Sequence, residues 1–414
     1  MIDLPGGVAP GLSVAEHRSR ILATIAPLAA RAVPLADALH RMLAEGASAQ
    51  LDVPGFDNSA MDGYALRRAD AITASESASV RLDVVADLPA GSSENPRIAP
   101  GQAARIMTGA AIPDDADCVV PIEDTDQGTT TVLIRRAPAA SAHIRRVGSD
   151  VRRGDPVLGA GRTLSSRDLA AAAATGHGEL IVHPAPRVGI LSTGSELRPP
   201  GASLARGQIH DSNSFLLAAA VQECGGIPVR LGSLADDEDA LRDTLAAHAD
   251  DVDAFITSGG VSVGAYDVVK AVLAPLGVWF GPVRMQPGKP QGFGHWRDGT
   301  PIFTLPGNPV SVFVSFEAFV RPALLKLQGR GELFRPLLRA IVVAGWRSPD
   351  GRAQYMPVGV ERHPDGTFGV RPASSGGSGS HLVASLAGAD GLAIIPEAVT
   401  QVHVGDTVDV ALMP

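Results

Sequence analysis

The polar and apolar positions of the first 50 residues predict two helices. Ser13 and Glu16 are spaced as a capping box ahead of the apolar Ile21, which is how an amphipathic helix often begins. A second amphipathic pattern covers 34–46, where proline at the start and glycine at the end favour a helix of about three turns.

Short apolar runs replace the helical pattern between about residues 80 and 158. Glycine, proline and aspartate interrupt these runs, and this pattern predicts a β-rich module. An alanine-rich helix is predicted next, at 169–175. Ser165 or Ser166 is expected to be its N-cap, and Gly176 is expected to end it.

Strands and helices alternate after Pro186. Strand patterns lie at 188–191, 229–231, 254–256 and 302–305, and helical patterns lie at 212–224, 237–248 and 312–327. Because the strands are continuously apolar, they predict a parallel sheet that helices cover on both faces. Strand patterns return beyond Gly329, as at 340–343 and 391–395, and predict a C-terminal β domain. The segment 374–380, rich in glycine and serine, is too short to separate domains and is predicted as a flexible loop.

Length and composition narrow the class of protein. The 414 residues exceed what one hydrophobic core holds, so two to four domains are expected. No apolar run approaches the roughly 18 to 20 residues of a membrane helix, and the N-terminus resembles no secretory signal, which together predict a cytoplasmic protein. Thirty-five Lys and Arg against 44 Asp and Glu give a net charge of −9, which disfavours nucleic acid. Cys118 and Cys224 are too isolated for a zinc cluster or a disulfide framework and are expected to be buried apolar residues.

The segment 52–64 concentrates polar side chains on a predicted loop. It contains three carboxylates, an amide and a hydroxyl, from Asp52, Asp57, Asp62, Asn58 and Ser59. Such residues dominate ordinary Asx-rich turns, because they bond to their own main chain. They are equally the residues of a loop that presents chemistry, and composition alone does not separate the two interpretations.

A second concentration of polar residues follows the predicted parallel strands. Ligands of open parallel sheets bind at the carboxyl ends of the strands, so the loops at 192–196, 233–237, 257–264 and 306–311 are expected on one rim. Two of these loops are rich in glycine and hydroxyl groups and suit a phosphate or another oxyanion. The residues predicted to bind a ligand here are Ser192, Thr193, Gly194, Ser258, Gly259, Gly260, Ser262, Gly264, Pro306, Gly307 and Asn308.

Glu196, Asp236 and Asp267 are expected beside the same loops. Carboxylates repel a phosphate unless a cation lies between them, so this combination predicts Mg²⁺. A purely structural role also explains some of these residues. Asp236 also suits the N-cap of the following helix, and Gly259 and Gly260 also suit close backbone packing.

Seven short motifs occur in order over almost the whole chain. They are DNSAMDGYA at 57–65, RIMTGA at 105–110, Arg145-Arg146 with Asp150, STG at 192–194, TSGGVSVG at 257–264, PGKP at 287–290 and LPGNP at 305–309. This series resembles the molybdopterin molybdenumtransferase family, which catalyses the last step of molybdenum cofactor synthesis and includes the E domain of gephyrin.

The resemblance implies an α/β multidomain fold with four domains. They are an N-terminal mixed α+β dimerisation domain at 1–52 plus 141–185, a β-rich inserted domain at 53–140, a parallel-sheet α/β molybdopterin-binding domain at 186–330 and a C-terminal β-barrel-like domain at 331–414. It also implies a homodimer, whose cleft is lined by the parallel-sheet domain of one subunit and the DNSAMDGYA loop of the other.

The implied reaction is the Mg²⁺-dependent insertion of molybdate into adenylylated molybdopterin, with release of AMP. Molybdopterin adenylyltransferase and apo-molybdoenzymes are the protein partners that the resemblance points to, and no nucleic acid or membrane partner is expected. Carried over residue by residue, the implied catalytic residues are Asp62, Thr108, Asp150 and Glu196, the cofactor-binding residues include Arg145, Lys289, Ser311 and Ser380, and the metal ligands are Asp236 and Asp267.

Three positions depart from the family pattern. Ser195 replaces an Asp of many members, Gln286 replaces a Lys, and Pro357 replaces an Arg that follows an Arg-x-x-aromatic segment. Losing Lys and Arg weakens an oxyanion site, so Arg284 or Arg371 is expected to supply the missing charge. Two alternatives stay open: a non-catalytic carrier or scaffold that keeps the cleft, and a metal-dependent nucleotide pyrophosphatase on a related fold.

Overall fold

The computed structural model describes residues 11–261, 267–297, 299–374 and 376–413, and the chain forms two compact units. The first unit comprises Met1–Arg31, His40–Ala44 and Val182–Pro414, and the second comprises Ala32–Leu39 and Glu45–Ile181. The finer division into four domains, with the boundaries given above, stays a prediction.

A six-stranded sheet forms the centre of the first unit. Its strands are β1 Arg187–Thr193, β2 Ile227–Leu234, β3 Ala254–Ser258, β4 Trp279–Pro282, β5 Pro290–His295 and β6 Pro301–Leu305, in the order β2-β1-β3-β6-β5-β4. The first four strands in this order are parallel, as predicted, and β5 and β4 continue the sheet antiparallel. The sequence pattern missed β4 and β5 because glycine and proline interrupt them. Pro282 is tolerated because β4 is an edge strand.

The helices predicted after Ser13 and at 212–224 and 237–248 are confirmed, whereas two short helices, Val268–Leu273 and Val383–Leu386, were not predicted. The helices of the first unit are Val14–Thr24, Asn213–Glu223, Glu238–His248, Val268–Leu273, Pro309–Ser315, Arg321–Leu327 and Val383–Leu386. The predicted capping box is confirmed, because the Ser13 hydroxyl accepts from the Glu16 N–H at 3.2 Å and the Glu16 carboxylate accepts from the Ser13 N–H at 2.7 Å.

The predicted helix at 312–327 is part of a longer helical run with a defect in its middle. A π-helical turn, Phe316–Val320, separates its two α-helical parts. Pro322 has no N–H and leaves the carbonyl of Ala318 without its helical donor. The Nε of Arg18 donates to that carbonyl at 3.0 Å, so the N-terminal helix is tied to the defect.

A closed barrel of five strands follows in the same unit. The strands are Leu337–Val342, Ala353–Arg362, Phe368–Pro372, Gly391–Ile395 and Thr407–Leu412. A sixth strand, Met285–Gln286, pairs with Ala353 and Gln354 at the side of the barrel, and Trp346–Arg347 pairs with Gln401–Val402. The first of these pairings holds the residues before the PGKP motif against the barrel.

The second unit contains a five-stranded sheet, which confirms a β-rich module within the predicted range of about 80–158, although the sheet also takes in Gly63–Leu66 and ends at Ile134. Its strands, in spatial order, are Cys118–Pro121, Gly63–Leu66, Gln102–Ile106, Val80–Leu88 and Thr131–Ile134. The second unit has two helices, Arg68–Ala71 and Ser166–Ala174. The remaining short strands, which are distributed over both units, are Arg31–Pro34, Met42–Leu43, Ala47–Ser48, Asn58–Ser59, Ile144–Arg145, Pro156–Leu158, Glu179–His183, Leu197–Arg198 and Ile209–His210. Ser165 precedes the helix Ser166–Ala174, and the Asp168 carboxylate accepts from the N–H and from the hydroxyl of Ser165.

The prediction of a helix at 34–46 is wrong. The chain forms only a 3₁₀ turn, Leu35–Asp37, and then the strand Met42–Leu43, which pairs with Val182 and His183. His40 adopts a φ of 63°, which no right-handed helix contains. Strand pairing therefore overrides the local amphipathic pattern.

Two predictions from composition can be compared with the structure. Cys118 and Cys224 are free and buried, as predicted, and burial raises their pKa to about 12 and about 11. Within the residues that the structure describes, no helix has both the length and the apolar character needed to cross a membrane.

His17 gives the first unit a predicted acid sensitivity. Its ring is 2% exposed and packs against Trp279 and Phe319, with centroid distances of 4.9 and 4.7 Å. Burial lowers the pKa of His17 to about 4, whereas an unfolded histidine titrates near 6.5. The neutral ring therefore stabilises the fold above about pH 6.5, and this contribution is lost as the pH falls toward 4. We expect a loss of about 2 kcal/mol between pH 7 and pH 4.5.

The measurement is urea unfolding of wild type and His17→Phe at both pH values, followed by tryptophan fluorescence. The variant keeps a ring but cannot titrate, so its unfolding midpoint should fall less on acidification than that of wild type. Equal falls in the two proteins would contradict this role of His17.

Candidate active site

An acidic cavity of about 500 Å³ lies at the carboxyl ends of the parallel strands. Among the described residues, its wall contains four carboxylates and neither lysine nor arginine; the carboxylates are Glu196, Asp211, Asp236 and Asp267. The predicted residues on this wall are Thr193, Gly194, Glu196, Asp236, Ser258, Gly259, Gly260, Asp267, Pro306, Gly307 and Asn308. The rim expected from strand topology is thus a real cavity with a strongly acidic wall.

A buried hydrogen-bond network forms the floor of the acidic cavity. The Ser192 hydroxyl donates to the Asp211 carboxylate at 3.1 Å and lies 3.1 Å from the Ser258 hydroxyl. Asp211 also accepts from the Ser214 N–H at 3.0 Å, which fixes the start of the helix Asn213–Glu223. Ser192 is completely buried and lies beneath the wall. Sequence reasoning missed Asp211, although an Asp shortly before a predicted helix is a recognisable cap signal.

Gly259 lets the loop after β3 approach the end of β1. Its φ is +92°, and a Cβ there would lie 2.5 Å from the carbonyl oxygen of Thr193. Gly194 has a similar constraint, since a Cβ would meet the Glu196 carboxylate at 2.6 Å. These glycines are required by backbone conformation and close contact, and that requirement is what shapes the cavity.

Asp236 is not the N-cap of the helix that follows it. Asp237 caps that helix by accepting from the Ala240 N–H at 2.9 Å. Asp236 instead accepts from the hydroxyl of Ser195 at 2.9 Å and from the N–H of Ser195 at 3.3 Å. Its carboxylate is therefore held on the wall of the cavity, where a ligand can reach it.

The other two carboxylates of the predicted chemistry belong to different loops of the cavity. Asp267 accepts from the Lys270 N–H at 3.4 Å at the start of Val268–Leu273, and Glu196 follows Gly194 on the β1 loop. Within the described part of the chain, no three acidic, histidine or cysteine side chains form a group that could hold a metal ion. Ser262 and Gly264, two further predicted binding residues, lie outside the described residues.

A basic cavity of about 430 Å³ adjoins the acidic one. Its described wall carries Lys289, Arg352 and His381 and contains no carboxylate; the predicted residues on it are Lys289, Pro306, Asn308, Ser311 and Ser380. The two cavities share Pro290, Pro306 and Asn308. The Asn308 amide donates to the Ser380 hydroxyl at 2.9 Å, so the glycine- and serine-rich loop is attached to this shared wall.

Asp62, Thr108, Arg145 and Asp150 lie in the second unit and are exposed. The N–H and the hydroxyl of Thr108 both donate to one oxygen of Asp62, each at 2.7 Å. These bonds, the backbone one first, lower the pKa of Asp62, so its carboxylate stays ionised and is a poor general base. The backbone of Arg145 pairs with Asn58, which places both motifs on one short ladder.

The rest of the DNSAMDGYA loop is held by its own side chains. Asp57 accepts from the Val147 N–H at 2.8 Å and pairs with Arg146. The Val147 bond first, and Arg146 after it, lower the pKa of Asp57. The Ser59 hydroxyl donates to the Met61 carbonyl at 2.6 Å. Ser59 thus bonds within the loop, as the turn interpretation expects, whereas Asp57 is held by residues far along the chain. Asp62 is exposed with Thr108 as its partner.

Comparison with known proteins identifies the family. Three family models match successive parts of the chain: the MoeA N-terminal region (domain I and II) at residues 12–176, a probable molybdopterin binding domain at 189–326 and the MoeA C-terminal region (domain IV) at 339–413. Molybdopterin molybdenumtransferase 2 of Mycobacterium tuberculosis is 43% identical over 405 residues, which cover 96% of this chain and 98% of the relative. The chain belongs to the molybdopterin molybdenumtransferase family.

Other members of the molybdopterin molybdenumtransferase family match over nearly the same length. The Nostoc enzyme is 36% identical over 378 residues, which cover 90% of this chain and 86% of that protein. A crystal structure of the molybdopterin biosynthesis MoeA protein from Pyrococcus horikoshii has a TM-score of 0.78 at 30% identity and covers 97% of this chain and 98% of that one. The resemblance inferred from the seven motifs is confirmed.

The structure shows where the three residues that depart from the family pattern lie. Pro357 is buried in the barrel, where its carbonyl accepts from the Ala373 N–H at 2.9 Å. Gln286 lies on the wall of the basic cavity and accepts from Arg352 at 3.4 Å. Ser195 holds Asp236, so a hydroxyl donor stands where many family members have a second carboxylate.

The expectation that Arg284 or Arg371 supplies charge to the basic cavity is not supported by their positions. Arg284 binds the Glu397 carboxylate at 2.8 Å, and Arg371 is exposed on the strand Phe368–Pro372. Neither is on the wall of the basic cavity, whereas Arg352 is. Arg352 begins the Arg-x-x-aromatic segment, but only the pairing of Met285–Gln286 with the barrel reveals that it reaches the site.

Two glycines of the acidic cavity should respond very differently to an added methyl group. Gly259→Ala forces a positive φ and a 2.5 Å contact with Thr193, so we expect a loss of roughly 1–3 kcal/mol in stability. In Gly307→Ala the nearest contact of the new Cβ is the Gly259 Cα at 3.6 Å, which is ordinary packing, and the change should stay within about 0.5 kcal/mol. Thermal unfolding of both variants makes the comparison, and equal melting temperatures would show that the loop relaxes freely.

Proposed function

We propose that this chain inserts molybdate into adenylylated molybdopterin in a Mg²⁺-dependent reaction and releases AMP. As a family member it is a transferase of molybdenum cofactor biosynthesis. The observation that carries the finer proposal is the pair of adjoining cavities with opposite charge. A substrate with a metal-bound pyrophosphate and a site for an incoming oxyanion requires both environments next to each other.

The acidic cavity suits the pyrophosphate together with a divalent cation. Mg²⁺ is commonly held by one or two carboxylates plus substrate phosphates, and the donors here fit that pattern, because Asp236 and Asp267 do not form a complete cage. When bound, Mg²⁺ would neutralise charge that grows on the departing phosphate. We expect the substrate to require the cation, since without it the carboxylates repel the phosphates.

The chain's own residues position the substrate and the groups that contact it. Ser195 orients Asp236 by two hydrogen bonds, and the Asp211–Ser192–Ser258 network keeps the ends of β1 and β3 fixed beneath the ligand. Lys289 lines the basic cavity beside the shared wall and is the cation there that the motif analysis assigned to the substrate. Preorganised groups of this kind stabilise developing charge without reorganising during the reaction.

The basic cavity suits molybdate. It offers Lys289 and Arg352 as cations and Ser311 and Ser380 as hydroxyl donors, and no described carboxylate opposes an anion there. Lys289 and Arg352 keep two cations on this wall although Gln286 and Pro357 carry no charge, so the departures from the family pattern are compatible with turnover.

The remaining features of the proposal concern assembly and location. We propose a cytoplasmic homodimer in which Asp62 and Thr108 of one subunit, with Arg145 and Asp150 nearby, complete the site of the other. The lowered pKa of Asp62 favours a role as an anionic ligand or orienting group. Molybdopterin adenylyltransferase and apo-molybdoenzymes are the proposed protein partners.

The experiment that tests the function uses purified protein, adenylylated molybdopterin and Mg²⁺, with and without molybdate. We expect AMP release and reconstitution of an apo-molybdoenzyme, both dependent on molybdate and abolished by EDTA. Tight binding of the substrate without AMP release would favour the carrier, and release that does not depend on molybdate would favour a nucleotide pyrophosphatase.

Asp236→Asn tests the acidic cavity. The variant keeps the shape and an acceptor for Ser195 but loses the negative charge, so we expect AMP release to fall roughly 100-fold at a fixed Mg²⁺ concentration. Ser195→Ala is the matched control, because it keeps the carboxylate and loses only orienting bonds, and it should cost roughly 3- to 10-fold. A larger loss in Ser195→Ala than in Asp236→Asn would contradict the assigned order of importance.

Arg352→Ala tests the basic cavity. We expect the molybdate concentration that gives half-maximal AMP release to rise roughly tenfold or more, because a charge-assisted donor is lost. The Mg²⁺ requirement should stay unchanged. Arg371→Ala, an exposed arginine on the same barrel, is the control and should leave both requirements as in wild type; an unaltered molybdate requirement in Arg352→Ala would rule out its role.

A further inference from the structure

The PGKP motif lies on a loop whose two ends are joined by a hydrogen bond. The Val283 N–H donates to the Lys289 carbonyl at 2.7 Å, so the chain leaves the sheet after β4 and returns to it at β5 through a closed loop. We call residues 283–289 the PGKP loop. Its middle, Met285–Gln286, pairs with the barrel, and Lys289 at its end lines the basic cavity. The position of the Lys289 charge therefore depends on what holds this loop.

The side chain of Gln291 reaches back from β5 into the PGKP loop. Its amide donates to the Gly288 carbonyl at 2.7 Å and to the Ser315 hydroxyl at 2.6 Å. Gln291 is 2% exposed, and Ser315 is completely buried at the end of the helix Pro309–Ser315. One buried amide thus ties the PGKP loop to a helix in the interior of the protein.

The PGKP loop packs tightly against these two side chains. Gly288 has a φ of +99°, and a Cβ there would lie 3.0 Å from the Ser315 hydroxyl oxygen and 3.3 Å from the Gln291 amide nitrogen. The helix that ends at Ser315 also carries Ser311, which lines the basic cavity. The amide of Gln291 therefore connects two segments of the basic cavity wall from within the protein.

We propose that Gln291 is a positioning residue of the basic cavity, which fixes the PGKP loop so that Lys289 meets molybdate in one place. This inference rests on the proposed function, because that function assigns molybdate to the basic cavity. Neither Gln291 nor Ser315 is among the described residues of the cavity wall, so Gln291 acts through the loop and not by contact with the oxyanion. Without the amide, the Gly288 carbonyl loses this donor, and part of the binding free energy is spent on ordering the loop.

A buried glutamine can also have a purely structural role, and Gln328 provides the comparison. It is 3% exposed, and its amide donates to the carbonyls of Cys224 and Leu324 at 2.9 and 3.0 Å. Gln328 is not on the described wall of the acidic or the basic cavity. Gln291→Met and Gln328→Met therefore remove the same group from two similarly buried sites, of which only one adjoins the basic cavity.

The test titrates molybdate into the AMP-release reaction and measures molybdate binding to the full chain by calorimetry. In Gln291→Met, the half-saturating molybdate concentration and the Kd for molybdate should rise about tenfold, while the rate at saturating molybdate and the Mg²⁺ requirement stay within about twofold of wild type. Gln328→Met should lower the melting temperature by a similar amount but change neither molybdate value by more than about twofold.

Ser315→Ala is a milder variant that tests the same contact if Gln291→Met does not fold. It removes one of the two acceptors of the Gln291 amide and should raise both molybdate values about threefold. A lower maximal rate with unchanged molybdate values in these two variants would overturn the assignment, because it is the result expected of a purely structural role. Equal rises in Gln291→Met and Gln328→Met would overturn it as well.

Lys289→Ala tests the route by which Gln291 acts. Because that route runs through Lys289, adding Gln291→Met to Lys289→Ala should raise the half-saturating molybdate concentration by no more than about twofold further. Losses that multiply in the double variant would show that Gln291 does not act through Lys289, and the assignment would be overturned.

This inference and the proposed function can fail separately. Molybdate-dependent AMP release by wild type, with unchanged molybdate binding in Gln291→Met and Ser315→Ala, removes the inference and keeps the proposed function. Weaker molybdate binding in both variants, without AMP release by wild type, removes the proposed function and keeps the role of Gln291. If wild type binds no molybdate in calorimetry, the inference is overturned.

Discussion

The buried carboxylate of Asp211 is the interaction on which the site depends. It is 5% exposed and accepts from the Ser192 hydroxyl and from the Ser214 N–H, and Ser192 in turn contacts Ser258. A buried charge is tolerated only when hydrogen bonds replace its water. This one group therefore fixes β1, β3 and the start of a helix at the same edge of the sheet, and every loop of the acidic cavity leaves from that edge.

The second organising feature is the separation of charge across a thin wall. Four carboxylates lie on one side of Pro290, Pro306 and Asn308, and two cations and a histidine lie on the other. The proposed reaction joins cleavage of a phosphate link to capture of an oxyanion, and it requires two such environments next to each other. The barrel contributes to the basic side because Met285–Gln286 pairs with it, so the fold brings Arg352 and Lys289 together.

The sequence was a good guide wherever local patterns and tertiary structure agree. Continuous apolar runs located the four parallel strands, and the residues after them proved to line one cavity. The pattern failed at 34–46, where pairing of Met42–Leu43 with Val182 and His183 replaced a helix, and at β4 and β5, where glycine and proline hid the strands. Arg352 and the Asp211 network were not predicted, because their partners lie far away in the chain and local sequence patterns contain no information about such contacts.

The central claim is that the acidic and basic cavities hold different ligands. Crystals grown with AMP, Mn²⁺ and tungstate, with anomalous scattering recorded for both metals, test it most directly. The account predicts tungstate between Lys289 and Arg352, and Mn²⁺ beside Asp236 only when the nucleotide phosphate is present. Tungstate in the acidic cavity, or Mn²⁺ bound there without a phosphate, would contradict it.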